Sequence, residues 1–146
     1  LVFLRPLGLR LNKNTHIVVT TRNNGAVPDL PPEAAVEVSS YIGATGAKAI
    51  AFGPFQPAER GWLQCMKNME WCVEEAAVTG DYGKALQAFI LNPQIPSGAT
   101  AKRVLDELLL AHKKYLPQFA SKIAQLEAEG VTIKDDVARE LTEKGL

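Results

Sequence analysis

The sequence predicts an α+β fold, a small, mostly antiparallel sheet followed by a helical half, and three features carry that prediction. A β-branched run, THIVVTT, spans Thr15 to Thr21. Val36 and Val38 alternate with Glu37 and Ser39. After Pro57 the apolar spacing changes from every second residue to the three-and-four pattern of a helix. The 146 residues are enough for one core and fit a single domain over 1–146.

The elements follow in order. The run Thr15 to Thr21 reads as a strand that enters the loop RNNGAVPDLPP, where Asn24-Gly25 and three prolines punctuate the chain. Ala34 to Tyr41 and Lys48 to Phe52 read as two further strands forming a hairpin across the turn from Gly43 to Gly46. A long helix from Pro57 to about Val78 places Trp62, Met66, Met69, Cys72 or Val73, and Ala76 on one stripe. Gly80 stops it, and Asp81 caps a second helix bearing Leu86, Phe89 and Ile90, which Asn92-Pro93 breaks. Ser97 or Thr100 caps a third, with Val104, Leu105, Leu108, Ala111 or His112, and Tyr115 as its stripe. Pro117 restarts the chain into Phe119, Ile123 and Leu126, Gly130 ends that segment, and Thr132 caps a last short helix with Val137 and Leu141.

Sixteen basic residues balance sixteen acidic ones, which removes the bulk attraction on which nucleic-acid and anionic-membrane binding rely. No apolar stretch approaches the roughly 20 residues needed to cross a bilayer. Arg5, Pro6 and Arg10 interrupt the apolar run a secretory signal would need. The chain opens at Leu1 in apolar sequence with no initiator Met, as a helix cut from a longer protein would, so it is expected to be a fragment.

Few residues offer chemistry. Cys65 and Cys72 stand seven apart on one helix, roughly 10 Å along its axis, too far for a disulfide, and read as buried reduced thiols of a cytoplasmic protein. His16 and His112 lie in different elements with no acidic partner at metal-ligand spacing. Glu74 and Glu75, adjacent on a helix, diverge by about 100 degrees and cannot converge on one bond. No GxGxxG, P-loop or GxSxG stands in the sequence. The one dense polar cluster is Arg22-Asn23-Asn24-Gly25 at the end of the first strand. There a planar, permanently charged guanidinium suits a phosphate or carboxylate, with Asn23 and Asn24 adding donors.

The strings TTRNNGAVPDLPPEAAVEV, ERGWLQCMKNMEWCVEEAAVTGDYGKALQAFILNPQIPS and AKRVLDELLLAHKKYLPQF together resemble the C-terminal part of glycoside hydrolase family 4, above all its 6-phospho-β-glucosidases and 6-phospho-α-glucosidases. The likeness covers about Leu1 to Phe119 and leaves the tail from Ala120 outside. It implies a C-terminal domain of the lactate and malate dehydrogenase type, whose partner is its own N-terminal Rossmann domain, absent from this chain.

The resemblance also implies redox-assisted elimination: NAD takes a hydride from the sugar C3, a tyrosine removes the C2 proton, the aglycone leaves, and water and the hydride are then added back. A manganese ion polarises the C3 oxygen as a Lewis acid, and the family stands outside the two-carboxylate glycosidase scheme. The dinucleotide loop, the metal-binding Cys and His and the tyrosine base belong upstream. Cys65 and Cys72 do not match the metal position, nor Tyr41, Tyr82 and Tyr115 the base. This chain alone is therefore expected to be inactive and to bind neither NAD nor metal.

Arg22 matches the arginine that binds substrate at its 6-phosphate, with Asn23 and Asn24 beside it. The string TRN, where relatives acting on unphosphorylated sugars tend to read VPN, favours a phosphorylated disaccharide as substrate. The expected function is thus the substrate-side domain of a cytoplasmic, homo-oligomeric 6-phospho-glucosidase. The alternative is a non-catalytic helical oligomerisation domain, with the helices around Trp62, Trp71 and Leu108 as partner surfaces.

Overall fold

The computed structural model describes residues 14–134. The expected helical start at Leu1 to Leu11 and the last helix at Val137 and Leu141 lie outside the described residues. The chain divides into two compact units, one up to Gln64 and one from Cys65 onward.

The first unit holds an antiparallel sheet of order β1-β2-β3, with β1 at Thr15–Arg22, β2 at Ala35–Gly43 and β3 at Gly46–Ala49. Val19 stands opposite Val38, Arg22 opposite Ala35, and Tyr41 opposite Lys48. Side chains alternate across the pleat, so Val19, Val36, Val38 and Ile42 are buried while His16, Thr20, Glu37 and Tyr41 face outward. The third strand begins earlier and ends sooner than the Lys48 to Phe52 expected. Gly43 pairs with Gly46, so the turn is only Ala44 and Thr45, and Gly46 takes the left-handed φ of +99° that such a tight reversal asks of one residue. The ladder then runs out: the Ile50 N–H still donates to Ser39 O, but the Phe52 N–H leaves the sheet for Ala26 O at 2.8 Å.

The connection from Asn23 to Ala34 is not a bare linker. Val27, Leu30 and Ala34 pack on Val36 and Val38 in one core, joined by Phe55 and Leu63.

Helix α1 spans Pro57–Thr79, with Pro57 at its first position, where no intrahelical N–H is lost. Cys72 and Ala76 are buried on it as expected, but Trp62 is 62% exposed. Leu63, one residue on and about 100 degrees round the helix, takes the core contact instead. Cys65 is half-buried rather than buried.

In the second unit, α2 (Tyr82–Leu91) starts at Asp81, whose carboxylate accepts the Lys84 N–H at 3.0 Å, and stops at Asn92. Helix α3 (Gly98–Ala111) is capped by Ser97, which accepts the Thr100 N–H. Its buried face is Ala101, Leu105, Leu109 and Leu110, one register away from the expected stripe, and Tyr115 is exposed. The helix ends at Ala111, with His112 already off helical geometry at φ −104°, ψ 18°, and Leu116, preceding Pro117, is held out of the α region at φ −121°, ψ 55°. Two short 3-10 turns, Lys113–Tyr115 and Pro117–Phe119, lead to α4 (Ala120–Ala128), whose Ile123 and Leu126 join Phe119, Leu105 and Leu109 in the core.

Gly80 stops α1 in the left-handed region, at φ +75°. A Cβ there would overlap the backbone carbonyl oxygen of Gln118, whose side-chain amide donates to Ala77 O at 3.0 Å.

Candidate functional site

Strand β1 ends on the cluster singled out in the sequence, and the pleat separates its members. Arg22, on the outward face, is exposed, and its Nε donates to Pro32 O at 3.4 Å. Among the described residues its guanidinium enters no ion pair, so the rest of its fork is available to an anion. Asn24 is exposed at φ +46°, a conformation asparagine tolerates better than most residues, and its N–H donates to the same Pro32 carbonyl at 2.9 Å.

Asn23 lies between them and is completely buried. Its Nδ2 donates to Val27 O and Leu30 O at 2.9 Å and to Pro31 O at 3.0 Å. Its Oδ1 accepts the Val27 N–H at 2.7 Å. Every polar atom of the side chain is engaged by the loop itself, so the structure brings Arg22 and Asn24 to the surface together and withholds the Asn23 side chain from it.

Asp29, a residue the sequence did not single out, ties the loop to the start of α1. Its Oδ2 accepts the Phe55 N–H at 2.7 Å, its Oδ1 stands 3.6 Å from Arg60, and its backbone carbonyl accepts from Gln64 Nε2 at 3.0 Å. The signal available was the Pro28-Asp29 pair, an acceptor side chain within a proline turn.

The remaining candidates take structural places. His16 packs on Tyr41 with ring centroids 5.5 Å apart, and His112 forms the C-terminal boundary of α3. Cys65 and Cys72 are free thiols, the Cys65 Sγ donating to Leu91 O at 3.3 Å. Among the described residues no three His, Cys, Asp or Glu side chains converge as a metal site would require.

In the second unit, buried Asp106 accepts the Tyr82 hydroxyl at 2.7 Å and pairs with Lys102, while Lys122 sits 4.5 Å from the Tyr82 ring centre. Burial, reinforced by the Asp106 carboxylate, holds the Tyr82 hydroxyl well above the usual tyrosine range. The network joins α2, α3 and α4.

Residues 8–95 match the model of the family 4 glycosyl hydrolase C-terminal domain. A probable 6-phospho-beta-glucosidase of Bacillus subtilis (strain 168) is 50% identical over 105 residues, covering 72% of this chain and 24% of the relative. The 6-phospho-beta-glucosidase of Escherichia coli (strain K12) is 30% identical over 117 residues, covering 80% of this chain and 26% of the relative. Among solved structures, a 6-phospho-alpha-glucosidase from gut microorganisms in complex with NAD and glucose-6-phosphate superimposes with a TM-score of 0.76 at 31% identity, over 80% of this chain and 26% of that one. A structure of the 6-phospho-alpha-glucosidase from gut microorganisms with NAD and Mn2+ gives the same score at 28% identity and covers 80% of this chain and 27% of that one. The chain thus spans about a quarter of the length of the relatives it matches.

Proposed function

The chain belongs to the family 4 glycosyl hydrolases, as their C-terminal domain, and on that premise we propose that it forms the substrate-side part of an enzyme hydrolysing 6-phosphorylated glucosides. The observation that carries the reading is Arg22: an exposed guanidinium in no ion pair among the described residues, at the rim of a loop that satisfies its buried Asn23 side chain internally. A guanidinium so placed makes paired, charge-assisted hydrogen bonds to phosphate oxygens, with the Asn24 amide at hand as a further donor. The relatives named as 6-phospho-glucosidases, and the glucose-6-phosphate complex among the similar structures, support the phosphorylated substrate.

NAD and Mn2+ occur in those similar structures. In such an enzyme the pair supplies reversible oxidation at the sugar and polarisation of its oxygen. The described residues do not fit either group, for they gather no metal-ligating set and the sequence has no GxGxxG loop. We therefore assign both to the Rossmann part of an enzyme of the relatives' length, and to the described residues of this chain a part in substrate recognition.

A cytoplasmic location is supported by the two free thiols. Among the described residues no helix is long and apolar enough to cross a membrane. Self-association is supported by an apolar groove of about 240 Å³ in the second unit, rimmed by the part-exposed Val73 and Leu108.

Arg22→Ala tests the reading in the whole enzyme. Loss of a desolvated charge-assisted contact to phosphate costs about 2–5 kcal/mol. The kcat/KM on a phosphorylated glucoside should therefore fall by roughly 30-fold or more, with turnover of the unphosphorylated counterpart unchanged. Equal losses on both substrates would assign Arg22 to the fold.

A further inference from the structure

We infer that Asn23 is the positioning residue of this phosphate site, setting the direction of Arg22 and Asn24 through the Pro32 carbonyl; the inference rests on the functional reading above. The path is continuous in the hydrogen bonds. Asn23 Nδ2 holds the carbonyls of Leu30 and Pro31, which fixes the peptide leading into Pro32. The Pro32 carbonyl then receives both the Arg22 Nε and the Asn24 N–H. The Asn23 main chain closes the same circuit, its N–H donating to Ala34 O at 2.8 Å and its carbonyl accepting the Ala26 N–H at 2.9 Å.

The residue type is what this geometry demands. One end of the side chain must donate to carbonyl oxygens and the other must accept an N–H, and asparagine offers both in a small planar group. Aspartate has the same shape but presents only acceptors, so it would set a carboxylate oxygen against three carbonyl oxygens. Direct contact with the ligand is excluded for Asn23 itself, because its side chain reaches no surface.

The test measures kcat/KM in the whole enzyme for a nitrophenyl glucoside 6-phosphate and for its unphosphorylated counterpart, in wild type, Asn23→Asp, Arg22→Ala and the double variant. Asn23→Asp should lower the phosphorylated-to-unphosphorylated ratio about tenfold or more, the loss falling mainly on KM for the phosphorylated substrate. In the Arg22→Ala background the same change should lower the ratio much less than in wild type, because only the share that passes through Asn24 is left. A lower Tm with the ratio intact, or losses that simply add, overturns the inference while the functional reading stands. A wild type indifferent to the phosphate overturns both. Where Asn23→Asp does not fold, Asn23→Ser, which keeps one donor and one acceptor, carries the same comparison with the same deciding outcomes.

Discussion

Gly80→Ala adds one methyl group where the chain leaves α1, and Gly130→Ala adds the same group at the end of α4. The two glycines have nearly the same backbone, φ +75° and +72°. Alanine in the left-handed region costs about 1–2 kcal/mol at either position. The surroundings differ. Nothing lies within 4 Å of a Cβ built on Gly130, whereas on Gly80 it would overlap Gln118 O and come within 2.8 Å of Gln118 C. The obstacle is main chain rather than a movable side-chain end, so the Pro117–Phe119 turn must shift, at an overpacking cost of about 1–3 kcal/mol. That shift also endangers the Gln118 bond to Ala77 O, worth about 1 kcal/mol. Gly130→Ala is therefore expected to lose about 1–2 kcal/mol and Gly80→Ala about 3–6 kcal/mol. Far-ultraviolet circular dichroism during urea unfolding of both variants measures the gap. Equal losses would refute the close approach of Gln118 to α1.

Leu126, fully buried, should lose about 2–5 kcal/mol on replacement by alanine, read from the same urea transition. Tyr82→Phe leaves Asp106 Oδ1 without its hydroxyl donor, at a cost of about 1–3 kcal/mol near neutral pH. The raised Tyr82 also predicts a pH dependence. Its stabilisation is complete below the unfolded tyrosine value of about 10 and is lost as pH climbs from there towards the folded value. Unfolding midpoints should thus fall more steeply above that pH in wild type than in Tyr82→Phe. Alkylation of the native protein followed by mass spectrometry should modify half-buried Cys65 before buried Cys72.

Much of this architecture was legible in local sequence. The β-branched run marks β1, and Asp81, Asn92 and Ser97 mark helix ends because each carries its own polar partner for the backbone. The misreadings have a common cause in long-range packing. Trp62 fits the helical spacing, yet Leu63 meets the sheet core; Tyr115 continues the α3 stripe on paper, yet the helix has already ended at Ala111. The loop after β1 looked like punctuation because of its prolines, although Val27 and Leu30 inside it were the apolar residues that pack under the sheet. At the candidate site, Arg22 was readable as an exposed cation. The burial of Asn23 follows from the same alternation that turns Val19 and Thr21 inward, carried one step past the end of the strand. At Asp29 only the proline turn was readable; its partners Phe55, Arg60 and Gln64 were not, because they lie 26 or more residues along the chain.

The loop between β1 and β2 has a thermodynamic consequence for whatever meets Arg22. Pro28, Pro31 and Pro32 each restrict φ before folding begins, so the unfolded chain has fewer loop conformations to surrender. Once folded, the remaining freedom is taken up by Asn23 and Asp29 through bonds that involve no ligand. An arriving phosphate thus encounters a rim whose entropy was already spent in folding. Its binding energy then goes into affinity rather than into ordering the main chain.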